Sequence, residues 1–177
     1  ILAGIVGWVA SFLLTLERFH VASDPNATLS CDVASFISCK SVMLSPEAKL
    51  FGFPNPLIGL AAFVAPISVG VAVLAGAKFA NWFWQLFFAG QVLAFAWVLW
   101  LASAAIFDIG ALCPYCMVAW VATLLVLSVL LRELVELKKQ SLDDEDGVIA
   151  IDTIKKWLVP FHALWAGLLV AAAFLGV

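Results

Sequence analysis

Leu112-Cys113-Pro114-Tyr115-Cys116 is the stretch on which the reading of this 177-residue chain turns. It follows a short loop, residues 107–111, and opens an apolar run from Met117 to Leu131 that reads as a helix. Pro114 suits the first helical position, where its fixed φ fits and its missing N–H would have been unpaired anyway. Cys113 therefore stands at the helix N-terminus, where open N–H groups and the positive end of the helix dipole favour a thiolate. Two cysteines separated by two residues make a dithiol/disulfide switch. Half of a metal site, or an inert pair, is the alternative that the rest of the chain has to answer.

Working outward, the composition settles the solvent. The chain is 65% hydrophobic and 12% charged, with a mean hydropathy of +1.12. A soluble domain is only about half apolar, so this is a membrane protein. Eight Trp and fourteen Phe against one Tyr suit lipid-facing helices anchored near the interfaces. The net charge of −3 is small and no basic patch occurs, which argues against nucleic acid as a partner.

Five apolar spans follow in order, within one transmembrane domain covering 1–177. They are 1–16, 57–76, 82–107, 113–131 and 158–177. The first is short for a ~30 Å hydrocarbon core at ~1.5 Å per residue and lacks a basic leader or cleavage site. It reads as a spanning helix with a trimmed start. The polar stretch 17–56 holds Cys31 and Cys39. Within it Ser45-Pro46-Glu47 is a helix start, with Ser as cap and an acid in the first turn, and Gly52 ends that helix early. So short a helix, bearing Leu44, Leu50, Phe51 and Phe53, is expected to lie on the membrane surface as a half-helix lid. Residues 132–157 form a charged connector, helical at first and broken at Asp143-Asp144-Glu145-Asp146-Gly147.

Orientation follows from the Lys/Arg bias. Alternating spans place Lys78, Arg132, Lys138, Lys139, Lys155 and Lys156 on one side, against Arg18, Lys40 and Lys49 on the other. The richer side is cytoplasmic, so the protein is expected to be multi-pass in the cell membrane. All four cysteines then face the outer compartment, where disulfides persist.

Four thiols admit three pairings, and the productive arrangement is a relay. An external thiol attacks a loop disulfide, a loop thiolate attacks Cys113, and Cys116 passes the electrons on. Because Cys116 is one turn deeper among apolar residues, its acceptor should be a lipid-soluble two-electron carrier such as a quinone. A four-cysteine zinc site is the competing reading, but the spacing of Cys31 and Cys39 is unusual for a zinc knuckle.

Cys31-Asp32, Ser38-Cys39-Lys40-Ser41-Val42, Asn55 with Gly59, and Cys113-x-x-Cys116 after two further spans together resemble the vitamin K epoxide reductase family. The motifs cover roughly residues 29–120, and the span order covers the chain. The resemblance implies an all-α integral membrane fold, a four-helix transmembrane bundle around a quinone with a fifth transmembrane helix beside it. It implies that Cys39 exchanges with Cys113, that Cys31 is its loop partner, and that Cys116 faces the quinone, menaquinone or ubiquinone. Asn55 would donate a hydrogen bond to a quinone carbonyl, and Met43 and Ile58 fall where the family has aromatic pocket residues. Trp120 stands where vertebrate members have Tyr; an indole N–H can only donate. Bacterial members end a disulfide-forming pathway and often continue into a thioredoxin-like domain, so the expected partner is such a domain or a separate thioredoxin-like protein. Vertebrate members reduce vitamin K epoxide and quinone. Other readings are a DsbB-type oxidase, whose two cysteine pairs occur in the opposite order, and a membrane subunit with structural disulfides. Asp108 is a candidate for holding a proton near the switch. His20 and His162 are given no catalytic role.

Overall fold

The structure, a computed structural model, describes residues 1–34, 36–139 and the isolated positions 156, 160 and 167. The expected fifth span and all but the start of the charged connector lie outside the described residues. Within them the elements are α1 (Leu2–Ser23), α2 (Cys39–Leu44), a 3₁₀ turn (Pro46–Lys49), α3 (Pro56–Leu74), α4 (Asn81–Ser103), a π-helical turn (Ala104–Ile109) and α5 (Pro114–Lys139). Four helices are long and apolar enough to cross a membrane: α1, α3, α4 with its π turn, and α5 up to Glu136.

The first helix runs seven residues further than the expected 1–16 span, to Ser23. Glu17, Arg18 and His20 read as a span end, yet tertiary partners keep them helical. The Arg18 guanidinium donates to the Met43 carbonyl at 3.0 Å, and Val21 is buried against the cysteine cluster. The fourth span likewise continues into Lys139 as α5.

α1 is the hub. It packs along both α3 and α5, and α5 packs along α4, whereas α3 and α4, though joined by a short turn, hardly touch. Small residues set the α1–α3 approach. A Cβ on Gly7 would run into the Phe63 ring, and one on Gly59 into Ser11 Oγ. Close backbone approach of this kind replaces the hydrophobic drive that lipid abolishes. Ser11 and Thr15 lose no hydrogen bonds to burial, because their hydroxyls donate back to Gly7 and Ser11 carbonyls at 2.9 and 2.8 Å. The unsealed side between α3 and α4 leaves a hollow in the bundle.

Ahead of α3 the polar stretch is more structured than its sequence suggests. The helix expected from Ser45 is only a 3₁₀ turn, and Ser45 makes no side-chain cap. A separate helix, α2, precedes it and begins at Cys39; Ser38 caps it by accepting from Ser41 N at 3.2 Å.

Candidate active site

Cys113 immediately precedes α5, as Pro114 at the first helical position requires. The chain reaches it through a reversal at Gly110, whose φ of 67° is one that other residues rarely adopt. The preceding π turn supplies Ala104, Ala105 and Ile109 to the same neighbourhood.

The loop cysteines meet Cys113 because the backbones are joined beside both. Leu112 N donates to Phe36 O at 2.9 Å and Ser38 N donates to Leu112 O at 3.1 Å, one residue before Cys113 and one before Cys39 respectively. Cys31 and Cys39 form a disulfide, with Cα atoms 5.7 Å apart, while Cys113 and Cys116 are free. The Cys39 and Cys113 sulfurs are 3.1 Å apart, in a pocket where the two residues are 0% and 1% exposed. Three of the four cysteines, with Leu14, Val21, Leu29 and Met43, form one buried cluster, and Cys116 packs against it.

Asp32 organises the loop electrostatically. Burial alone would raise its pKa, but hydrogen bonds from Lys40 N (3.1 Å), the Ser38 hydroxyl (2.9 Å) and further backbone N–H groups outweigh it and hold the carboxyl below its usual range. Lys40 does not pair with this acid; its ammonium donates to Ala27 O at 3.1 Å and ties the loop down. The Cys113 pKa is also lowered. A hydrogen bond from the Cys116 side chain is the largest cause, burial opposes it, the Cys116 and Tyr115 backbone groups assist, and the Asp32 charge works against them. The open N–H groups at the helix start share in this lowering, but the neighbouring thiol contributes more.

Beneath these sulfurs is a cavity of about 380 Å³ in the hollow between α3 and α4. Such a volume falls within the ~300–1,000 Å³ typical of small-molecule sites. Its wall is overwhelmingly apolar and includes Cys113, Cys116, Asn55, Trp120, Met43 and Ile58, so every residue singled out for a quinone lines one space. Of the four apolar residues assigned to a lid, Phe51 alone reaches this wall, stacked on Trp97 at 5.3 Å. Asp108 is exposed and absent from the wall, a solvated acid.

Asn55 lines the cavity with part of its amide committed to the backbone. Its amide donates to Glu47 O at 2.7 Å, and its Oδ1 is buried without a partner, as is Ser45 Oγ in the same wall. One amide N–H and an acceptor oxygen thus remain uncommitted. A quinone carbonyl beside this apolar wall could accept from the second amide N–H and from the Ser45 hydroxyl, and the O–H of the reduced quinone could donate to Oδ1, so the residues present fit a quinone. The wall also contains Trp97, Gln91 and Thr123, which sequence reasoning did not pick out. Polar residues inside apolar spans were the available signal for the last two; Trp97 had none among eight tryptophans. Among the described residues no group of three or more His, Cys, Asp and Glu is placed to hold a metal ion.

The family model described as "Vitamin K epoxide reductase family" matches residues 1–131. No curated protein matches the chain.

Proposed function

The chain belongs to the vitamin K epoxide reductase family, whose members are quinone-linked thiol oxidoreductases of membranes, and from this we propose that it carries electrons from a thioredoxin-like protein to a quinone in support of disulfide formation. The observation that carries the reading is the 3.1 Å separation of Cys39 and Cys113 sulfurs at the mouth of the apolar cavity. It joins the oxidised pair of the loop to a dithiol lining the hollow.

The relay runs as follows. A partner dithiol reduces the Cys31–Cys39 bond through a mixed disulfide. With Cys113 and Cys116 oxidised, the Cys39 thiolate attacks Cys113 Sγ; the Cys39–Cys113 bond forms and Cys116 leaves with the electron pair. Cys31 then attacks Cys39, closing the loop disulfide and releasing Cys113. Two electrons have moved inward, and the bonding observed, with the loop pair closed and the inner pair free, is the state after that transfer. A bound quinone supplies the two-electron, two-proton sink. Cys116 would face it, Asn55 would donate its free amide N–H to one carbonyl oxygen and accept at Oδ1 from the O–H once the quinone is reduced, and Trp120, Met43, Ile58 and Phe51 would exclude water. In this reading the 3₁₀ turn and Phe51 act as the lid, and all four cysteines face the outer side of a multi-pass bundle, as the Lys/Arg distribution requires.

Reconstitution in liposomes with menaquinone or ubiquinone and a reduced thioredoxin-like protein tests this. Quinone absorbance should fall in step with oxidation of the partner, and each cysteine replaced by Ala should abolish the coupling. Partner oxidation that proceeds with no quinone consumed would overturn the proposal.

A further inference from the structure

One polar chain near the cysteines is not used by the relay. Glu17, near the C-terminal end of α1, accepts a hydrogen bond from the Ser30 hydroxyl, and Ser30 Oγ lies 3.3 Å from the Tyr115 hydroxyl. The three residues come from three separate parts of the chain. Ser30 immediately precedes Cys31; Tyr115 lies between Cys113 and Cys116 and packs against the buried cysteine cluster. The Glu17 side chain is only 16% exposed, and its other oxygen is 3.9 Å from His20 Nδ1. A carboxylate that accepts from a hydroxyl makes a charge-assisted hydrogen bond, roughly twice as strong as a neutral one.

The consequence is geometric. The backbone link between residues 36–38 and Leu112 fixes Cys39 against Cys113, but it does nothing for the Cys31 side of the loop. That side is held by the disulfide, by Asp32 and by burial of Leu29 and Cys31; the Glu17–Ser30 bond adds a tie from it to α1, and Tyr115 links the same point to the inner turn. Cys31 itself is buried, so the loop must open for an outside thiol to reach the Cys31 sulfur.

We propose that Glu17, acting through Ser30 and Tyr115, is a positioning residue that latches the Cys31 arm of the loop onto the Cys113–Cys116 turn. The closed latch favours the internal exchange and shields the loop disulfide from outside thiols. The step it positions is an isoelectronic exchange. Written in the direction that the test reads, which is the reverse of the relay's last step, Cys113 thiolate attacks Cys39 Sγ, the Cys39–Cys113 bond forms, the Cys31–Cys39 bond breaks, and Cys31 leaves as thiolate and is protonated by water. The inference rests on the exchange path proposed above, and its test is arranged so that the two fail separately.

The parent for the test is full-length protein with Cys116→Ala, in which the exchange stops at Cys39–Cys113. After a jump from acid to neutral pH, samples are quenched with N-ethylmaleimide and the disulfides mapped by mass spectrometry. Separately, the rate at which dithiothreitol opens Cys31–Cys39 is followed. Glu17→Ala and Ser30→Ala should each slow the exchange about tenfold, a modest share of the ~100-fold that a 1 Å misplacement can cost. Both should speed opening by dithiothreitol several-fold, and Glu17→Gln, which keeps an acceptor oxygen, should stay within about threefold of the parent on both counts. Glu17→Ala combined with Tyr115→Phe should be no worse than Glu17→Ala alone, as members of one network require. Quinone affinity, read by tryptophan quenching, should not move. The latch is overturned if Glu17→Ala and Ser30→Ala leave both rates within twofold, if the double variant shows the product of the two losses, or if quinone affinity falls in parallel. Should the parent form no Cys39–Cys113 bond, the relay fails, and the dithiothreitol rates alone decide the latch.

Discussion

Replacing Phe51 by Ala measures how much of the cavity's closure comes from the short turn above it. Phe51 is 59% exposed, so burial of its ring is a minor part of its worth. It stacks on Trp97 at 5.3 Å and on Phe53 at 6.2 Å, and it shares the cavity wall with Trp97. An aromatic pair contributes about 0.5–1.5 kcal/mol beyond its area. Adding the lost wall contact gives a total of about 1–2 kcal/mol for the Trp97 side. At ~1.4 kcal/mol per tenfold, quinone should bind roughly 5- to 30-fold more weakly. Phe53 lies outside the wall and touches this system only through Phe51, so Phe53→Ala should change affinity by no more than about twofold. Trp97 and Trp120 both line the cavity, which makes quenching of tryptophan fluorescence by added quinone a suitable titration. Equal losses in the two variants, or none in Phe51→Ala, would refute the idea that Phe51 closes the cavity.

Cys113 should be alkylated at lower pH than an ordinary thiol of pKa ~8.5, because its folded-state pKa is lowered and its thiolate persists as pH falls. In protein lacking Cys31 and Cys39, Cys116→Ala should move that titration upward and Cys116→Ser, which keeps a donor, should largely preserve it; alkylation rate against pH reads both. Asn55→Ala should weaken quinone binding roughly three- to tenfold, the worth of one or two modest hydrogen bonds, while leaving the Cys39–Cys113 exchange rate unchanged in the trapped variant. Gly59→Ala should lower the melting temperature in detergent, since its Cβ would run into Ser11 Oγ, an overpacking cost of about 1–3 kcal/mol. Ser11→Ala in the same protein should restore much of the loss.

Cys113 and Cys116 were legible from their spacing at a helix start, whereas Asn55, Met43, Ile58 and Trp120 entered through the resemblance to the family and are found lining one cavity. Cys116 and Trp120 are four residues apart on α5 and necessarily share a face. What was not legible depends on partners remote in sequence. Glu17 and Arg18 read as the end of a span until Ser30 and the Met43 carbonyl are seen to hold them. α2 is too short for its periodicity to register, and its start is fixed by Ser38 and by Asp32 accepting from Lys40 N. The orientation of Asn55 follows from a single contact with the Glu47 carbonyl, a position that nothing in the local sequence marks. The hollow itself comes from an absence of contact between α3 and α4, and hydropathy, high in both spans, cannot report which helices part.

The central claim is that electrons cross from loop to helix through Cys39 and Cys113. Disulfide mapping of the Cys116→Ala protein tests it most directly, because Cys116 can no longer draw Cys113 away and only Cys31 competes for the intermediate. The 3.1 Å separation of the two sulfurs predicts a Cys39–Cys113 bond with Cys31 recovered as a free, alkylated thiol. A Cys31–Cys113 bond with Cys39 free would contradict it.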